Sequence, residues 1–106
     1  MLLFMGQPLN PGDGDPLTQK YMQEWGAWVA GLAERGVYDS GLPFEWTAKA
    51  VTKDSVSDHP LNEVDVGGYM MINAASLEDA IEIARGAPNV ALGGTIIVRP
   101  CLDIPT

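Results

Sequence analysis

The chain holds one cysteine and one histidine in 106 residues. Cys101 alone cannot form a disulfide within the chain, which suits a reducing compartment. His59 and Cys101 lie far apart in sequence, and the carboxylates are scattered, so no metal-ligand spacing is present and no metal is expected. Basic residues are scarce too. Six Lys and Arg stand against fourteen Asp and Glu, a formal net charge of −8. Such a surface repels nucleic-acid phosphates and anionic lipid, so neither is an expected partner. No apolar run is long enough to span a bilayer. The opening Met1 to Gly6 is apolar but short and carries no basic residue, so no signal peptide is expected and the cytoplasm is the expected location. Gly93-Gly94 leads into a β-branched run, not a helix, so it does not make a phosphate loop. No serine-nucleophile motif is visible, and no cofactor is expected.

What the chain does have is apolar content. Hydrophobic residues make up 46%, too many for a chain that stays unfolded for want of a core. A chain of this length suits one domain over residues 1–106, burying roughly two thirds of its unfolded surface. Leu2 to Gly6 reads as a central strand. Gln7 to Pro16, with three prolines, reads as a loop. Asp15 and Pro16 suit the start of a helix that runs to Arg35 and Gly36. Its apolar face is Met22, Trp25, Trp28 or Val29, and Leu32. Gly26 and Gly31 weaken it by about 1 kcal/mol each relative to alanine. They admit close packing of a neighbour, or they are merely tolerated.

Val37 to Lys53 reads as extended, with alternation from Phe44 through Trp46, Ala48 and Ala50 to Thr52. Asp54 to Asp65 reads as a polar loop and Gly68 to Ala74 as a strand. Ser76 caps a second helix, with Asp79 three residues on. Gly86 and Pro88 end it. Thr95 to Arg99 reads as the last strand, closed by Pro100, and Cys101 to Thr106 as a tail.

The order strand, helix, strand, strand, helix, strand predicts an α+β fold: a ferredoxin-like βαββαβ subunit with an antiparallel sheet. Two helices cover one face of such a sheet. Met70, Ile72, Ile96 and Val98 alternate with Tyr69, Met71 and Ile97, so both faces carry apolar side chains. The uncovered face predicts a homodimer packed sheet to sheet.

Three stretches carry a resemblance. They are Gly67-Gly68-Tyr69, the helix Ser76-Leu77-Glu78-Asp79-Ala80-Ile81-Glu82-Ile83-Ala84, and Gly93-Gly94-Thr95-Ile96-Ile97-Val98-Arg99-Pro100. Together they resemble the YCII-related family, in particular its DGPF branch, over about the last third of the chain. The resemblance implies a dimeric α+β barrel built from ferredoxin-like subunits. The chain departs from the branch at two places. Asp58-His59-Pro60-Leu61 stands where the branch has Asp-Gly-Pro-Phe. The first helix holds no histidine, so the His-Asp pair proposed for better-studied YCII-like proteins has no counterpart, and Glu24 stands near the equivalent place.

The candidate chemistry rests on a few side chains, each with a plainer reading beside it. His59, with Asp58 next to it, is a candidate general base, or an exposed loop histidine. Glu24 is a candidate buried acid with a raised pKa, or a solvated helix carboxylate. Trp25, Trp28, Trp46 and Tyr69 are candidate walls of an aromatic ligand cavity, or core and dimer packing. Arg99 is a candidate carboxylate clamp, or a surface ion pair. The expected function is binding of a small molecule, an aromatic one among the candidates, with or without cofactor-free isomerase or lyase chemistry. The alternative is a non-catalytic dimeric interaction or regulatory module.

Overall fold

The computed structural model describes residues 1–8 and 14–102. Its elements are β1 (Leu2–Met5), α1 (Pro16–Glu34), β2 (Tyr38–Pro43), β3 (Lys49–Val51), β4 (Val56–Asp58), β5 (Val66–Ile72), α2 (Leu77–Arg85), α3 (Pro88–Ala91) and β6 (Ile96–Val98). The fold is α+β. Four strands form one antiparallel sheet in the order β2-β5-β1-β6, while β3 and β4 pair separately as a hairpin. The sheet is open, and no closed barrel forms among the described residues.

Local chemistry sets the helix ends. The Asp15 carboxylate accepts a hydrogen bond from the Leu17 amide at 2.9 Å, and Pro16 opens α1. Past its end, Gly36 adopts a φ of +72°, which an L side chain strains to reach. Ser76 accepts from the Asp79 amide at 3.1 Å and starts α2. Gly86 ends α2 at a φ of −81°, so it is no left-handed cap. Its lack of a side chain serves Trp28 instead: a Cβ there would stand 3.3 Å from the indole nitrogen.

Register decides which side chains meet the helices. Gly41, Met70, Leu2 and Val98 lie in one row across all four strands, and Pro43, Gly68, Phe4 and Ile96 in a second. These rows face the helices. Leu2 is fully buried and packs with Leu32, Met70, Ile83 and Ala84 as the core. The row between them turns the other way: Leu42, Tyr69, Leu3 and Ile97. Leu42 and Ile97 are exposed there, and Phe44 extends the same apolar face, its ring 6.0 Å from that of Tyr69.

Three expectations from the sequence change. Val37 to Lys53 is not one extended run but two strands in different sheets. Pro43 closes β2, an edge strand, and the chain then leaves the sheet before β3 begins at Lys49. The polar stretch after Asp54 contains β4, because Thr52 and Ser55 tie the hairpin turn by backbone and side-chain hydrogen bonds. Pro88 ends α2 but also opens the single turn α3, as proline at a first helical position can. The loop expected from Gln7 to Pro16 and the tail from Cys101 lie partly outside the described residues.

Gly26 and Gly31 have open space where a Cβ would stand, so neither serves a close approach within the chain. Replacing Gly26 with alanine is expected to stabilise the protein by about 1 kcal/mol, through helix propensity and a less flexible unfolded chain. Urea unfolding checks this: the midpoint should rise with the slope unchanged. A lower midpoint would mean that the glycine makes room for something outside the chain.

Candidate functional site

A cavity of about 310 Å³ lies between α1 and the sheet. This is near the lower end of the ~300–1,000 Å³ that ligand pockets usually occupy. Phe4, Tyr21, Trp25 and Tyr38 give it aromatic walls, and Met5, Met22 and Met70 add polarizable sulfur. The 3.6-residue helix repeat puts Tyr21, Met22, Trp25 and Val29 on the face that α1 turns to the cavity. At the sheet side, Gly41 and Gly68 join β2 closely to β5. A Cβ on Gly41 would stand 2.6 Å from the Tyr69 carbonyl oxygen.

The rings are braced against one another. Phe4 and Trp25 meet edge to face with centroids 5.0 Å apart, Trp25 and Trp28 at 5.3 Å, and Tyr21 and Trp25 at 6.1 Å. Such packing holds the wall in one arrangement and is worth about 0.5–1.5 kcal/mol per pair beyond area burial. Among the described residues, no acidic or basic side chain lines the cavity. Burial pushes the Tyr21 phenol above its ordinary pKa. A hydrogen bond with Trp25 works against that shift, and the nearby Glu24 charge adds to it. The phenol is therefore neutral at physiological pH, a donor and acceptor without charge.

The sequence candidates divide among separate places. Trp25 lines the cavity, while Tyr69 borders it from a strand position whose side chain turns to the uncovered face, near Phe44. Trp28 is not in its wall: one turn further along α1, it packs against Phe4 and over Gly86. Glu24 is exposed, being the neighbour of Trp25 that the helix turns toward solvent. Arg99 follows Val98 at the opposite edge strand, where its backbone bonds to Met1. Trp46, Asp58 and His59 line a second, shallow groove beside the hairpin. There Asp58 pairs with Lys49, across the β3-β4 register. His59 faces Asp65, at 3.4 Å, and not its sequence neighbour. Glu24, Asp58 and His59 therefore do not converge on one cavity, and none of them reaches the walls around Trp25. Sequence reasoning missed Tyr21, Tyr38 and Asn89. Tyr21 was within reach of the helical repeat, but Asn89 enters only through the packing of α3 near α1.

Asp65 organises the loop before β5. Its carboxylate accepts from the Asn62 amide at 2.9 Å, and Asn62 in turn accepts from the Val64 amide. The Asn62 hydrogen bond is the main reason its pKa lies below the ordinary aspartate value, with His59 contributing less. A lowered carboxylate pKa means that the fold prefers the ionised form. The associated stability is complete above the ordinary aspartate range and fades as pH falls through the folded-state value. In an NMR pH titration, the Asp65 carboxyl is expected to titrate below the ordinary aspartate value, with the Asn62 amide moving at the same midpoint. A midpoint at or above the ordinary value would remove this turn from the account.

Among the described residues, no group of three or more His, Cys, Asp or Glu side chains is placed to hold a metal ion. No described helix is long and apolar enough to cross a membrane. No protein-family model matches the chain, and no curated protein matches its sequence significantly.

Proposed function

We propose that the protein is a dimeric binding module that takes a small, neutral, aromatic molecule into the cavity between α1 and the sheet. The observation that carries this is the cavity wall itself: apolar and aromatic, braced by edge-to-face rings, and free of charged side chains among the described residues. A charged ligand would be stripped of water there with no partner to compensate. Binding without acid-base turnover fits better than an isomerase or lyase step, because Glu24, Asp58 and His59 lie outside this wall.

We carry the ferredoxin-like reading, and with it the resemblance to the YCII-related family, into the same proposal. What supports it is the strand order. β1 and β2 flank β5, and β5 and β6 flank β1, so two βα-β units interlock within one sheet. The homodimer rests on the apolar row of Leu42, Tyr69, Leu3 and Ile97, which no helix covers. A second copy, sheet to sheet, would produce the barrel that one chain lacks. The cytoplasmic setting stays with the lone, exposed Cys101.

A thermal-shift screen of neutral aromatic fragments tests the binding. A ligand at a hundredfold excess over its Kd is expected to add about 2.7 kcal/mol of stability. The double variant Glu24→Gln, His59→Ala is expected to show the same shift. Loss of the shift in that variant would restore the two side chains to the site. No shift with any fragment would remove the binding reading.

A further inference from the structure

The β3-β4 hairpin is held to the rest of its chain by very little. It forms a two-stranded sheet of its own, apart from the four-stranded one. Between Lys49 and Asp58 only Ala50 is half-buried, and every other residue is exposed. A two-stranded hairpin standing alone in water is marginally stable at best. Its register sets Val51 opposite Val56 and Lys49 opposite Asp58, and the strand repeat puts both pairs on one face. The valines are 74% and 69% exposed. β-Branched residues favour strands because they pack on a half-buried surface, and this chain offers the valine pair no such cover.

We infer that the hairpin is a dimerisation arm, and that Val51 and Val56 are buried against a second copy of this chain. This rests on the sheet-to-sheet dimer proposed above and adds a second region to it. Three observations select a second copy as the occupant. The first is size. Four strands about 4.8 Å apart, on average about five residues long at ~3.3 Å each, give a face on the order of 300 Å². A stable interface takes about 800 Å² from each partner, so the sheet face falls short even if side-chain relief doubles its area. The second is continuity. The chain enters the hairpin from Phe44, whose ring lies 6.0 Å from that of Tyr69 on the uncovered face, so the arm begins where the proposed interface ends. The third is charge. Two copies carrying −8 each repel. The hairpin balances Lys49 and Lys53 against Asp54 and Asp58, and the row Leu42, Tyr69, Leu3 and Ile97 carries no charge. These two surfaces can meet their copies without bringing a net like charge into contact.

The double variant Val51→Thr, Val56→Thr provides the test. Threonine keeps the shape and branching of valine, so the strands are retained, but its hydroxyl is costly to bury. Sedimentation equilibrium of the full chain is expected to show dimerisation weakened at least tenfold. Leu17→Gln is the control, because Leu17 is 78% exposed on α1, in the helix layer. It should dimerise as the natural chain does. Hydrogen exchange gives a second reading that does not need the hairpin variant. The amides of Thr52 and His59, bonded to Ser55 and Ala48, close the two ends of the hairpin. They should exchange at least tenfold more slowly in the natural dimer than in Ile97→Glu, which puts a carboxylate on the sheet face. A double variant that dimerises like the natural chain, a control that weakens dimerisation as much, or equal exchange in dimer and monomer would overturn the arm and leave the sheet-to-sheet dimer intact. A natural chain that is monomeric at micromolar concentration would overturn the dimer and the arm with it.

Discussion

Gly67→Ala is expected to cost about 3 kcal/mol or more and to leave little folded protein at physiological temperature. A Cβ at this position would overlap the Gly6 carbonyl oxygen and press on the Pro8 ring. The obstacle is backbone, so no rotamer change relieves it. Gly6 itself is fixed by a φ of +85° and by its amide, which donates to the Asp65 carbonyl at 2.8 Å. The register between β1 and β5 also shifts at this point, between Phe4 and Met5. To admit a methyl group, β1 must move away from β5. β1 is the inner strand that carries Leu2 and Phe4 into the core, so the strain spreads through the whole sheet. The contrast with Gly26→Ala makes the test sharp. The same substitution is expected to stabilise the helix and to break the strand, and equilibrium urea unfolding reads both. A Gly67→Ala midpoint within error of the natural chain would mean that the β1-β5 junction is looser than described.

Ile97→Glu is expected to convert a dimer into a monomer. Ile97 lies on the uncovered face of the sheet, in register with Leu3, Tyr69 and Leu42, and is already 41% exposed in one chain. A glutamate there costs the single chain little. In a sheet-to-sheet dimer it would place a carboxylate from each copy in an apolar interface without a partner, a penalty of several kcal/mol. Sedimentation equilibrium should show the natural chain as a dimer at micromolar concentration, and the variant as a monomer with unchanged secondary structure. A monomeric natural chain, or a variant that stays dimeric, would take the interface away from this face. The radius of gyration, 15.4 Å, already exceeds the ~13 Å of a compact domain of this length. The hairpin has few contacts with the other elements of its own chain, which leaves its exposed Val51 and Val56 available to a partner copy.

Much of the scaffold could be read from local chemistry. Asp15 and Ser76 announce helix starts because their side chains can reach amides two or three residues on, and the structure places those hydrogen bonds there. Alternation around Met70 and Ile97 indicated a sheet with two apolar faces, because the strand repeat needs no knowledge of its neighbours. The hairpin was harder to see. Lys49 and Asp58 become partners only once a turn at Thr52 to Ser55 folds them together. The cavity was harder again. Trp25 was legible as an aromatic residue on a periodic face, but its meeting with Tyr38 and Asn89 depends on the packing of α1, α3 and the sheet. His59 stands out in the sequence as the lone histidine. Its identity said nothing of the distance between its loop and the aromatic wall.

The three tryptophans tell a ligand in the cavity from one bound elsewhere, because each reports a different place. Trp25 lines the cavity, Trp28 packs one turn beyond it, and Trp46 lies in the shallow groove by the hairpin. Indole N–H signals of the ¹⁵N-labelled protein would be followed during titration with a neutral aromatic ligand from the fragment screen. A saturable shift is expected that is largest at Trp25, smaller at Trp28 and absent at Trp46. A shift centred on Trp46, or no saturable shift at Trp25, would contradict binding in the cavity.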